Sequence, residues 1–199
     1  KVQKAAETAL GTKKGAIVAL DPHNGAVIAM ASYPSFDPNI FSSNVTPEVW
    51  QELQSQGNPF LNMALRAFPP ASTFKIVTAT AGMESGKFAP NTILGTYPYL
   101  SVGGTRFGEW NKSGFDPLGY VSALAWSSNT FFGQIGQGAG GETLIKYAKL
   151  YGFGKPTGIE LDGETGGLIA DDAWKRLNFD DWGWTVGDTV NMSIGQGFT

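Results

Sequence analysis

The stretch Gly15-Ala16-Ile17-Val18-Ala19-Leu20-Asp21-Pro22-His23-Asn24-Gly25-Ala26-Val27-Ile28-Ala29-Met30 decides the fold class. Two runs of small and β-branched residues flank a cluster of turn formers, which predicts a β-hairpin over residues 15–32. The apolar runs are continuous rather than alternating, so both faces of the strands are expected to be covered. That predicts an α+β domain in which an antiparallel β-sheet is sandwiched between helices.

Upstream, Val2-Gln3-Lys4-Ala5-Ala6-Glu7-Thr8-Ala9-Leu10 reads as a helix that begins without a cap. The chain stops at Gly195-Gln196-Gly197-Phe198-Thr199, inside a glycine-rich turn, and is expected to be a fragment of a longer protein. Downstream of the hairpin, Tyr33-Pro34-Ser35-Phe36-Asp37-Pro38-Asn39 is punctuated by prolines and predicts a connector. Thr46-Pro47-Glu48 predicts a short helix through Leu53, with Thr46 as cap and Pro47 at the first helical position. After Pro69-Pro70, the i, i+3, i+7 placement of Phe74, Val77 and Ala81 predicts a helix over 73–83, with Gly86 available to end it. Residues 92–117 predict short strands and loops. Helices are expected around Val121 to Trp126, again after Asn129, and over 143–151. Residues 153–199 read as loop-dominated, with acidic pairs at Asp171-Asp172 and Asp180-Asp181.

At 199 residues, 42% of them hydrophobic, the chain can build a core without cross-links. Fourteen Lys and Arg against 17 Asp and Glu give a net charge of -3, which argues against a nucleic-acid or anionic-lipid partner. With no cysteine and His23 as the single histidine, the usual zinc ligand sets cannot be assembled, and no metal or cofactor is expected. No apolar run approaches the length of a membrane span. Trp110, Trp126, Trp174, Trp182 and Trp184 could offer a saccharide platform, but large aromatics more commonly serve packing. The acidic pairs lack the alternation of a calcium loop and read as solvated surface, and His23 as an exposed turn residue.

Ser72-Thr73-Phe74-Lys75 is the sharpest local feature. Positions i and i+3 share a helix face, so a lysine amine can reach the serine hydroxyl. Serine needs a base to become nucleophilic, and lysine serves as one when burial disfavours its ammonium form. Pro69 and Pro70 place Ser72 at a helix N-terminus, which favours a developing negative charge. The plainer alternative makes Ser72 a helix cap and Lys75 a solvated first-turn residue. Ser127-Ser128-Asn129 lies between two helical runs, where a hydroxyl could relay a proton and an amide hold a substrate amide; standing alone, the motif reads more plainly as the cap of the helix that starts near Thr130.

Taken together, these motifs resemble those of the class B penicillin-binding proteins and serine β-lactamases, marked by Ser-x-x-Lys, Ser-x-Asn and Lys-Thr-Gly. The resemblance is carried by Leu20-Asp21-Pro22, Asn24-Gly25-Ala26-Val27, Ala29-Met30-Ala31-Ser32, Pro34-Ser35-Phe36-Asp37-Pro38-Asn39, Pro70-Ala71-Ser72-Thr73-Phe74-Lys75, Ser127-Ser128-Asn129-Thr130 and Ser193-Ile194-Gly195-Gln196-Gly197. It spans nearly the whole chain and lies nearest to the elongation-type group, penicillin-binding protein 2. It implies an incomplete transpeptidase domain over 1–199, in which 1–14 end a linker helix and the catalytic region starts near 15. Ala71 stands where the family commonly has glycine, which is expected only to require that the backbone avoid positive φ. Lys112-Ser113-Gly114 and the proline-interrupted Lys155-Pro156-Thr157-Gly158 are expected to be decoys for the third motif, which should follow Thr199.

The resemblance further implies a peptidoglycan D,D-transpeptidase that cross-links stem peptides at D-Ala-D-Ala. Ser72 would form the acyl-enzyme, Lys75 would act as base, Ser127 would pass the proton to the leaving amine, and Asn129 would bind the acyl chain's amide and steady Lys75. β-Lactam antibiotics would acylate the same serine. Glycan-polymerising elongation machinery would be the partner, and a membrane anchor outside this chain would hold the domain on the extracytoplasmic side. A β-lactamase or β-lactam sensor, and a non-catalytic cell-wall scaffold, are the alternatives; no deacylating base is identifiable, which favours the transpeptidase.

Overall fold

The computed structural model describes every residue except Ser43 and Gln56, and the chain divides into two compact units. The first comprises residues 1–66 and 159–165. Its hairpin pairs β1 (Gly15–Leu20) with β2 (Val27–Tyr33) in antiparallel register, Ile17 opposite Ala31 and Ala19 opposite Ala29. The Asp21 carboxylate accepts the His23 N–H and Asn24 accepts that of Ala26, so the turn formers close the loop through their own side chains. The His23 side chain is 90% exposed.

Ile17, Ala19, Ala29 and Ala31 pack on Ala6 and Leu10 of α1 (Val2–Leu10), which thus covers one face of the hairpin. Helical cover reaches only part of the other: the 3-10 turn Met63–Leu65 meets Met30 and Ser32 through Asn62 and the Met63 N–H, while Val18 and Leu20 remain 44% and 53% exposed. Continuous apolarity at these positions reflects β propensity as well as burial. Thr46 Oγ1 accepts the Val49 N–H and opens α2 (Pro47–Ser55), as expected from Thr46-Pro47.

The second unit comprises 67–158 and 166–199. A 3-10 turn, Ala71–Phe74, runs into α3 (Lys75–Glu84), and Gly86 follows the helix at φ 72°. Short antiparallel strands come next: β3 (Ile93–Leu94) pairs with β6 (Leu118–Gly119), and β4 (Tyr99–Val102) pairs with β5 (Thr105–Gly108). Then follow α4 (Tyr120–Ala125), α5 (Asn129–Ala139), α6 (Gly141–Leu150), α7 (Asp172–Asn178) and α8 (Val186–Ser193).

Two helices therefore lie in the stretch read as loop-dominated, and that expectation is corrected. Asp171 caps α7 by accepting the Trp174 N–H, and Thr185 and Asp188 form a reciprocal capping box on α8. The helices are short and Gly187 interrupts the apolar pattern, so capping carries the signal that periodicity lacks. The acidic pair at 171–172 is accordingly a helix start.

The α3 helix lies against α5 and α6, and α5 lies against α8. Phe74, Val77 and Ala81 sit in one core cluster with Leu144, Ala148 and Met192; Phe131, Phe132 and Ile135 fill a second with Ala123. Each fully buried large side chain contributes roughly 1.5–3 kcal/mol. Two glycines of α5 permit this closeness: a Cβ at Gly133 would meet Leu100 Cδ1 at 2.6 Å, and one at Gly136 would collide with Ser193.

Candidate active site

The 3-10 turn stacks Ser72 over Lys75, because three residues per turn eclipse i and i+3. Ser72 is exposed, whereas Lys75 is 1% exposed, so the solvated-lysine alternative does not hold. The Lys75 Nζ stands 3.2 Å from Ser72 Oγ, 3.1 Å from Ser127 Oγ, 2.6 Å from the Ser127 carbonyl oxygen and 2.8 Å from Asn129 Oδ1. The Ser127 carbonyl and Asn129 Oδ1 carry no hydrogen and must accept. The Asn129 amide group donates to the Gly108 carbonyl at 3.1 Å, which turns its oxygen toward the lysine. A neutral amine satisfies both acceptors with its two N–H groups and keeps its lone pair for a proton from either serine hydroxyl.

Burial lowers the Lys75 pKa to about 8, against a smaller upward pull from the Glu109 carboxylate. About a fifth of the amine is then neutral at pH 7.4, against about a thousandth for an ordinary lysine. The resulting arrangement is a hydroxyl poised beside its base, with a second hydroxyl on the same nitrogen.

Ser127 reaches this nitrogen because α4 ends in a Schellman motif: the Ser127 N–H donates to the Leu124 carbonyl and the Ser128 N–H to that of Ala123. Glycine usually occupies such a position, yet Ser127 holds it at φ 52°. Ser128 caps α5 by accepting the Phe131 N–H. Capping and site geometry thus coexist, divided between adjacent residues.

Ala71 lies at φ 48°, which corrects the expectation that its backbone would avoid the left-handed region. Its N–H donates to the Gly195 carbonyl at 2.9 Å, and this anchor holds the turn in place despite the strain of a Cβ there. Lys112-Ser113-Gly114 and Lys155-Pro156-Thr157-Gly158 lie outside any strand. Trp174 packs against Phe179 and Phe198, while Trp110 and Trp126 flank Phe115 with more than half of each surface open. Among the described residues no group of His, Cys, Asp and Glu could hold a metal ion, and no helix is long and apolar enough to cross a membrane.

Sequence reasoning missed Glu109. It follows β5 and is 8% exposed. Its carboxylate accepts the Ser128 hydroxyl at 2.7 Å, the Thr130 hydroxyl at 3.1 Å, and the N–H groups of Asn129, Thr130 and Trp110, each at 3.0 Å. Burial opposes its charge, but these bonds outweigh burial and hold its pKa below the usual carboxylate value. Apart from the adjacent Trp110, its partners are 19 to 21 residues away, so no local pattern marks it.

Residues 15–199 match the family model described as the penicillin binding protein transpeptidase domain. Peptidoglycan D,D-transpeptidase MrdA of Escherichia coli (strain K12) is 34% identical over 202 residues, covering 100% of this chain and 32% of the relative. The chain thus spans about a third of the length of the curated relatives it matches. The crystal structure of Pseudomonas aeruginosa PBP2 in complex with WCK 5153 is similar with a TM-score of 0.92 and 33% identity, covering 100% of this chain and 44% of that one. The complex between PBP2 and MreC from Helicobacter pylori gives 0.93 and 34%, covering 99% and 37%.

Proposed function

The chain belongs to the penicillin-binding protein transpeptidase domain family, and from that premise we propose that it carries the acylation machinery of a peptidoglycan D,D-transpeptidase. The observation that supports this most directly is the buried Lys75 amine, 3.2 Å from Ser72 Oγ and 3.1 Å from Ser127 Oγ.

Neutral Lys75 takes the Ser72 proton as Oγ attacks the carbonyl carbon between the two terminal D-alanines of a stem peptide. The Ser72 N–H, at the start of the helical turn, faces the developing oxyanion. The new ammonium returns its proton through the Ser127 hydroxyl to the departing amine, the C–N bond breaks, and an acyl-Ser72 ester remains. Asn129 keeps Lys75 aimed; one N–H of its amide group is held by Gly108, and the other serves the acyl chain's carbonyl. An amine from a second stem peptide then attacks the ester, and the same groups run in reverse. A β-lactam enters as a mimic of D-Ala-D-Ala, and its leaving nitrogen stays tethered.

The resemblance of the PBP2 complexed with MreC supports a partner in the elongation machinery. An anchor supplied by a segment outside this chain would hold the domain on the extracytoplasmic face of the membrane. Intact-protein mass spectrometry with benzylpenicillin, followed by peptide mapping and a time course, tests the reading. A stable adduct on Ser72 is expected. Rapid loss of the adduct would indicate a β-lactamase, and its absence from the full-length domain a non-catalytic scaffold.

A further inference from the structure

We propose that Glu109 is a positioning residue for acylation: its carboxylate holds the Ser128-Asn129-Thr130 segment in place and, through Asn129, fixes the surroundings of Lys75. The inference rests on the acyl-serine reading of the site. It starts from the arrangement of donors. Glu109 Oε1 accepts the N–H groups of Trp110 and Asn129, and Oε2 accepts the Ser128 hydroxyl and both donors of Thr130. Five donors converge on one buried carboxylate, and three of the residues that supply them, Ser128, Asn129 and Thr130, are consecutive. The first N–H groups of α5, which no helical carbonyl can satisfy, are met by this side chain.

The consequence reaches the catalytic nitrogen through Asn129. Its backbone N–H is fixed by Glu109 and its side-chain oxygen accepts Lys75 Nζ at 2.8 Å. On its other sides the amine meets the hydroxyls of Ser72 and Ser127 and, 5.9 Å away, the Phe132 ring, none of which carries charge. Among the described residues, the Glu109 carboxylate is the charge that pulls the Lys75 pKa upward, against the larger effect of burial. An amide in its place could not do the same work, because an NH2 group at Oε2 would face three donors rather than accept them.

The test measures the pH dependence of Ser72 acylation by a fluorescent penicillin in E109Q and E109D, together with hydrogen exchange at the Asn129 and Thr130 amides. Loss of the charge in E109Q lowers the Lys75 pKa, so the rising limb of the acylation profile moves about one pH unit toward acid. The plateau falls about tenfold or more as the turn loosens, and both amides exchange faster. E109D keeps the charge, so its limb stays at the wild-type position while its plateau and amide protection fall. A limb that stays in place in E109Q, or moves as far in E109D, overturns the proposal. Where E109Q does not fold, E109D decides: unaltered protection and an unaltered plateau overturn it. Absence of acylation in the wild type would instead sink the acyl-serine reading, while amide exchange and NMR titration of Lys75 would still report on Glu109.

Discussion

Ala71 and Gly195 are joined backbone to backbone, N–H to carbonyl at 2.9 Å, and both occupy the left-handed region, at φ 48° and 70°. The residue before Ser72 therefore rests on the glycine turn near Thr199, and the contact is so close that a Cβ on Gly195 would overlap the Ala71 backbone. Ala71→Gly relieves a strained Cβ and is expected to raise stability by about 0.5–1 kcal/mol. Gly195→Ala adds both strain and overlap; it should cost more than about 1 kcal/mol and slow acylation. Thermal melts and penicillin-labelling rates on the two variants check these opposite signs.

Ser127→Gly separates stability from chemistry. The substitution places glycine at a helix-ending position that favours it, with an expected gain of about 1 kcal/mol. It also removes the second hydroxyl on Lys75, and acylation should fall by about 100-fold or more. A melt that rises while labelling slows is the expected pair of results; unchanged labelling would remove Ser127 from the proton path.

The depressed pKa of Lys75 makes two pH statements. Acylation should rise with an ionisation near pH 8, and Lys75→Ala should abolish that limb and slow labelling by about 1,000-fold. For stability, the unfolded lysine holds its proton up to the ordinary lysine value of 10.5 while the folded one releases it near 8. Between those values the unfolded chain binds more protons, so stability rises with pH. The gain over Lys75→Met should reach about 3 kcal/mol by pH 10.5, measured by denaturant unfolding of both proteins across that window.

Lys175 and Asp188 form a mostly buried ion pair linking α7 to α8. Burial opposes the Asp188 charge, but bonds from Lys175 and Thr185 prevail and its pKa is lowered. Asp188→Ala strands the lysine and removes half the capping box of α8, at an expected cost of about 3–5 kcal/mol. Lys175→Met should cost less, because the Thr185 N–H and hydroxyl still satisfy the carboxylate. Chemical denaturation of the two variants orders them.

The hairpin, α3 and the Ser72-Lys75 pair were legible because short-range rules govern them, turn formers and an i to i+3 stack; the approach of Ser127 and Asn129, 52 and 54 residues from Lys75, was expected only from the order of the family motifs. The left-handed backbone of Ala71 was not, since it is imposed by Gly195, more than a hundred residues away. Glu109 was invisible for the same reason. The helices α7 and α8 were missed because capping by Asp171, Thr185 and Asp188, rather than apolar periodicity, defines them.

The glycines of α5 narrow the routes by which variation could retune this site. Gly133 and Gly136 press the helix against Leu100 and Ser193, and the same helix begins at Asn129. One added methyl there would shift Asn129 relative to Ser72, so the packing behind Ser72 has no room to grow. Trp110, Trp126 and Val121 are more than half exposed and lie on an open rim without such packing. Substitutions that leave the position of Asn129 undisturbed are thus accommodated more readily at this open rim than along α5.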